Sequence, residues 1–127
     1  MSCPHPQILI VEDDRDTREM LEHFLQLEGF DVRTAPNGDA AFHSLQTAGR
    51  PCVILLDLMM PVMNGWQFRE AQTRHPDFST IPVIVVTAAG PRGEIPKIHA
   101  DGWLSKPVDF DQLLTAIGAF CRPGAES

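Results

Sequence analysis

Three runs of four apolar residues, Ile8-Leu-Ile-Val11, Val53-Ile-Leu-Leu56 and Val83-Ile-Val-Val86, constrain this chain more than anything else in it. Each is rich in aliphatic and β-branched residues, too short for a helix, and apolar at every position, so a strand built from it is buried on both faces. Strands of that kind belong to parallel sheets sandwiched between helices, and the intervening stretches supply the helices. Thr17, Met20, Leu21, Phe24 and Leu25 fall at i, i+3, i+4, i+7 and i+8, the stripe of an amphipathic helix that Gly29 is placed to end. Phe30 to Ala35 alternates and predicts a second strand. Asn37 or Gly38 then opens a helix carrying Ala41, Phe42 and Leu45, which ends near Gly49. Gly65 to Arg74 predicts a helix with Phe68 and Ala71 inward, and Gly102 to Ser105 a fifth strand. Phe110, Leu113, Leu114, Ile117 and Cys121 predict a last helix with Asp109 as its N-cap. The expected class is α/β, a doubly wound five-stranded parallel sheet.

A chain of 127 residues is one domain's worth and buries about two-thirds of its unfolded surface, enough to fold without a staple. The reading is a single domain over 1–127, with its core at about 7–121 and flexible ends at 1–6 and 122–127. Ten Lys and Arg against seventeen Asp and Glu leave a formal charge of −7, which argues against a nucleic-acid surface and for business with cations or basic partners. No stretch approaches the ~20 apolar residues of a membrane span, and the first residues lack the pattern of a signal peptide. Cys3, Cys52 and Cys121 are odd in number and scattered, which suits neither a disulfide framework nor a zinc site. A reducing, cytoplasmic location is the expectation.

In an open α/β sheet, ligands collect beyond the carboxyl ends of the strands. Glu12, Asp13 and Asp14 follow the first run and Asp57 follows the third strand. Thr87 follows the fourth, and Lys106-Pro107 the fifth. Three or four carboxylates, a hydroxyl and an ammonium therefore converge on one edge. Carboxylates so close repel one another unless a cation neutralises them, and a small all-oxygen set suits Mg²⁺. Each piece alone has a plain structural reading: Asp14 or Glu12 as a helix cap, Thr87 as a satisfied hydroxyl, Lys106 as a solvated surface charge. The four together at successive strand ends do not.

The stretches Ile8-Leu-Ile-Val-Glu-Asp-Asp14, Leu27 to Gly38, Val53-Ile-Leu-Leu-Asp-Leu-Met-Met-Pro61 with Met63-Asn-Gly65, Val85-Val-Thr-Ala88, and Ala100-Asp-Gly-Trp-Leu-Ser-Lys-Pro107 run through nearly the whole chain. In that order the chain resembles the receiver domains of response regulators, of the chemotaxis-regulator type. The resemblance implies a flavodoxin-like strand order 2-1-3-4-5. It also implies a phosphoacceptor function in a two-component system, with Asp57 taking a phosphoryl group from a histidine kinase or histidine phosphotransfer protein. It places Glu12, Asp13, Asp57 and the backbone carbonyl of Met59 around Mg²⁺, and Thr87, Ala88 and Lys106 around the phosphoryl group. Thr87 and Trp103 become switch residues, and the bond before Pro107 is expected to be cis. The implied partners are that phosphodonor and a downstream protein yet to be identified, with no nucleic acid bound by this domain and no membrane.

Two departures from the family pattern stand out. Trp103 is bulkier than the usual Tyr or Phe, and the stretch between Thr87 and Lys106 is short and broken by Gly90, Pro91, Gly93 and Pro96, so a short or irregular fourth helix is expected there. The sequence speaks against an aspartate-nucleophile phosphatase, which wants a second Asp two residues past the nucleophile, where this chain has Met59. No GxGxxG or GxxxxGK loop supports a nucleotide site. The remaining alternative, a phosphorylation-independent adaptor on a receiver fold, has no use for the Glu12, Asp13, Asp57, Thr87 and Lys106 set.

Overall fold

The computed structural model describes residues 7–57, 65–87 and 100–121, with the backbone alone at Trp66 and Thr87. Nine elements follow in order: β1 (Gln7–Val11), α1 (Arg15–Leu27), β2 (Asp31–Ala35), α2 (Gly38–Ala48), β3 (Val53–Asp57), α3 (Gly65–Arg74), β4 (Val83–Thr87), β5 (Gly102–Ser105) and α4 (Phe110–Gly118). The strands form one parallel sheet in the order β2-β1-β3-β4-β5. The expected α/β class, doubly wound topology and 2-1-3-4-5 order are all present. The expected short or irregular fourth helix falls on residues 88–99, outside the described residues.

The two faces of the sheet use alternate residues of the same apolar runs, as the pleat requires. Leu9, Val11, Ile54, Leu56, Val83 and Val85 pack under α2 and α3, against Ala41, Leu45 and Phe68. Ile8, Ile10, Val53, Leu55, Ile84 and Val86 pack under α1 and α4, against Leu21, Leu25, Leu113 and Ile117. Each run is buried throughout because it serves both cores at once.

Helix ends follow the side chains that the sequence offers. Asp14 caps α1, its carboxylate accepting from the Thr17 backbone N–H at 2.9 Å and from the Thr17 hydroxyl at 2.6 Å. Asn37 caps α2 through Ala40 N–H, and Asp109 caps α4 through Gln112 N–H. Past α1, Gly29 takes φ 97°, where Gly29 N–H reaches Gln26 O and Phe30 N–H reaches Leu25 O. That pair of bonds is a Schellman ending, and the left-handed residue it needs is a glycine. Gly49 (φ 92°) ends α2 in the same half of φ space.

Two features of the packing away from the strand ends were not read from the sequence. Gln72, not Ala71, is fully buried on α3. Its amide donates to Phe78 O and Ile81 O, and its oxygen accepts from Arg69 Nη1, which ties α3 to the turn entering β4. The cysteine reading also needs correction. Cys52, just before β3, and Cys121, just after α4, are joined as a disulfide across 69 positions of sequence. A pairing between elements so far apart leaves no spacing signature.

Candidate functional site

The site lies at the carboxyl rim of the three central strands. β3 is buried at all five positions and ends in Asp57, which is 3% exposed. β1 runs beside it in register, Val11 opposite Leu56, so one further step sets Glu12 beside Asp57. Glu12 N–H still bonds Ala35 O of β2 at 3.0 Å, which keeps the backbone extended and turns its side chain into the rim, 2% exposed. Asp13 follows on the outside, exposed. One carboxylate oxygen from each of Glu12, Asp13 and Asp57 lies within 4.8 Å of the other two.

Lys106 reaches this cluster from the end of β5. Its Nζ lies 3.1 Å from Glu12 Oε1, 3.2 Å from Oε2 and 3.7 Å from Asp57 Oδ1. Burial is the largest single influence on the ammonium and pulls its pKa down. The Glu12 hydrogen bond and the charges of Asp57, Glu12 and Asp13 together outweigh it, and the pKa is raised above the ordinary lysine value. The group therefore stays charged well beyond neutral pH. The Lys106–Pro107 peptide bond is cis.

The run of three acids thus divides by role. Glu12 and Asp13 join Asp57, whereas Asp14 faces the other way as the α1 cap, and its pKa is lowered by the Thr17 side-chain and backbone hydrogen bonds. Thr87 ends β4 opposite Ser105, on the strand next to Asp57, with its side chain outside the described residues. Met59 and Ala88 also lie outside the described residues. Trp103 stands on β5 opposite Val85, half-buried against the core beneath α2 and α3.

One residue of this rim was missed in the sequence. Arg18 Nη1 donates to Glu12 O at 2.9 Å and lies 3.4 Å from Asp13 O, so the first turn of α1 holds the backbone that carries both acids. The signal was present, a long cation one turn into the helix that follows an acidic loop, but a lone arginine on a helix is usually solvated.

Among the described residues the arrangement is an anionic cluster of carboxylates with one fixed ammonium, suited to a hard cation and to a phosphoryl group at the same spot. Comparison with known proteins agrees. The family profile described as "Response regulator receiver domain" matches residues 8–118. The chain is 36% identical over 124 residues to the transcriptional regulatory protein CpxR homolog of Haemophilus influenzae, covering 94% of this chain and 52% of that protein. It is 34% identical over 125 residues to the sensory transduction protein RegX3 of Mycobacterium bovis, covering 94% and 52%. It therefore spans about half the length of the curated relatives it matches. Among solved structures, the Vibrio cholerae chemotaxis protein CheY4 superposes with a TM-score of 0.83 at 30% identity, covering 91% of this chain and 98% of that one. The signal receiver domain of a histidine kinase from Syntrophus aciditrophicus gives 0.82 at 32% identity, covering 91% and 89%.

Proposed function

We propose that this chain, which belongs to the response regulator receiver domain family, is a single receiver unit over about residues 7–121 that accepts a phosphoryl group on Asp57 from a histidine kinase or histidine phosphotransfer protein. The observation that carries this reading is the Asp57 carboxylate, buried at the end of the central strand and grouped with Glu12, Asp13 and Lys106. An adaptor that never met phosphate would have no use for so costly a cluster.

In this mechanism an Asp57 carboxylate oxygen attacks phosphorus, the new P–O bond forms and the bond from phosphorus to the donor's imidazole nitrogen breaks. Lys106 then stands beside the phosphoryl oxygens, and Thr87 and the Ala88 N–H complete their contacts. Glu12, Asp13, Asp57 and the Met59 carbonyl would hold Mg²⁺. The close, all-oxygen donor set of the three acids fits that ion, which when bound supplies neutralisation of charge around the transferred group. Arg18 keeps the Glu12–Asp13 backbone in place for it. The catalysis that this reading assigns to the chain is of its own phosphorylation and dephosphorylation. Among the described residues no helix is long and apolar enough to cross a membrane, and a cytoplasmic location follows from the proposed donor. The output is a changed surface that selects a downstream protein.

The test is incubation with a small-molecule phosphodonor. One acid-labile, hydroxylamine-sensitive phosphoryl group per chain should appear, dependent on Mg²⁺ and mapped to the peptide containing Asp57. Label on a histidine, or label indifferent to metal, refutes the reading. Without any donor, Mg²⁺ at ten times its Kd should add about 1.4 kcal/mol of stability by mass action. A thermal scan reads this directly, and Asp13→Asn should lose the increment while remaining folded.

The proposed switch has an optical readout. With Trp66 replaced by Phe, Trp103 is the remaining indole. Beryllofluoride, standing in for the phosphoryl group, should change its emission, and Thr87→Ala should remove that change. Unaltered emission in the Thr87 protein would make Trp103 a fixed packing residue and move the output to another face.

A further inference from the structure

Cys52 and Cys121 form a second chemical site, at the end of β3 opposite to Asp57. Cys52 precedes the strand, half-buried, with its N–H bonded to Gln7 O at 2.8 Å at the foot of β1. Cys121 is 5% exposed and continues the apolar stripe of α4, one turn beyond Ile117 and two beyond Leu113. Their Cα atoms lie 6.0 Å apart, a span that a disulfide bridges without backbone movement. The bond joins the foot of the central strand to the carboxyl end of the last helix.

In a reducing compartment thiols are kept reduced, and the disulfides that do form there are usually transient and redox-sensing. We propose that Cys52 and Cys121 are a reversible dithiol–disulfide site, exchanging with low-molecular-weight disulfides of the glutathione class, that pins or releases the carboxyl end of α4. The reversibility rests on the cytoplasmic reading given above. In the oxidising direction the Cys52 thiolate attacks one sulfur of glutathione disulfide, which expels one glutathione thiolate and leaves a mixed disulfide. The Cys121 thiolate then attacks the Cys52 sulfur and expels the second. Two electrons pass from the protein to the glutathione pair, and the two thiol protons end on the two glutathione molecules released. Reduction is the reverse, with two glutathione thiols consumed. The reduced state keeps the fold, because Cys121 still fills its place as a small apolar side chain, but its last turn is no longer tethered. Asp57 lies five residues along β3 from Cys52, so its chemistry continues in both states.

The test uses the chain with Cys3→Ser, which removes the third thiol. The protein is equilibrated in glutathione buffers from reducing to oxidising, quenched with an alkylating agent and mapped by peptide mass spectrometry. In oxidising buffer both cysteines should lose alkylation together and yield a Cys52–Cys121 linked peptide from monomeric protein. In reducing buffer both should be alkylated, with a melting temperature lower by about ten degrees. Cys52→Ser and Cys121→Ala should each abolish that difference, so one misfolded variant leaves the other to decide. Phosphoryl label on Asp57 should form in both states, and its absence from both would fault the phosphoacceptor reading alone. A linked peptide that survives the reducing buffer makes the bond a permanent staple and overturns the proposal. So does a stable glutathione adduct on Cys52, or an intermolecular dimer, while Cys121 remains alkylatable.

Discussion

Asp57→Asn should abolish phosphorylation: label from a small-molecule donor is expected to fall at least a hundredfold, with no other residue taking its place. The amide has the same shape, so the end of β3 keeps its packing, but the attacking group changes from an anionic oxygen to a neutral amide. Nearby acids do not substitute. Glu12 is held by Lys106 and by the Asp14 N–H, and Asp13 stands on the exposed side. The substitution removes one contact to Lys106 and relieves repulsion from two carboxylates, so the melting temperature should change by no more than a few degrees. A phosphodonor assay and a thermal scan on one preparation check both halves. Residual label above a few per cent would place the acceptor elsewhere.

Phe68→Ala should be the most destabilising of the simple truncations, by about 3–5 kcal/mol. The ring is fully buried on α3, over the face of the sheet that carries Ile54 and Leu56. It meets Phe42 of α2 edge-on at 6.0 Å between centroids. Few residues can collapse into the space, because the sheet beneath is rigid and the Gln72 bonds to Phe78 O and Ile81 O hold the far end of α3. Urea unfolding should show the loss with an unchanged m-value. A loss under 1 kcal/mol would mean that α3 is free to settle onto the sheet.

What was legible in the sequence is what short-range physics writes there. The apolar runs announce strands because a doubly covered strand has no polar face to show, and Asp14, Asn37, Asp109 and Gly29 announce helix ends because caps act within three or four residues. Glu12, Asp13, Asp57 and Lys106 were legible as a group because parallel strands bring their carboxyl ends to one rim. The features missed are those whose partners are backbone groups or distant side chains. Gln72 looks like a surface residue until Phe78 O and Ile81 O are found waiting for its amide. Arg18 looks solvated until the Glu12 carbonyl is placed before it. The Cys52–Cys121 pair is a contact between the start of one strand and the end of the last helix, which nothing local encodes.

Lys106 also lowers the charge that the rim presents to a cation. Among the described residues it is the one cation paired with the carboxylates of the buried acids of this cluster, Glu12 and Asp57. Because burial of Glu12 and Asp57 strengthens each of these interactions, the lysine tempers the negative charge that a bound cation would meet. Without it the same acids would stand together with no ammonium between them.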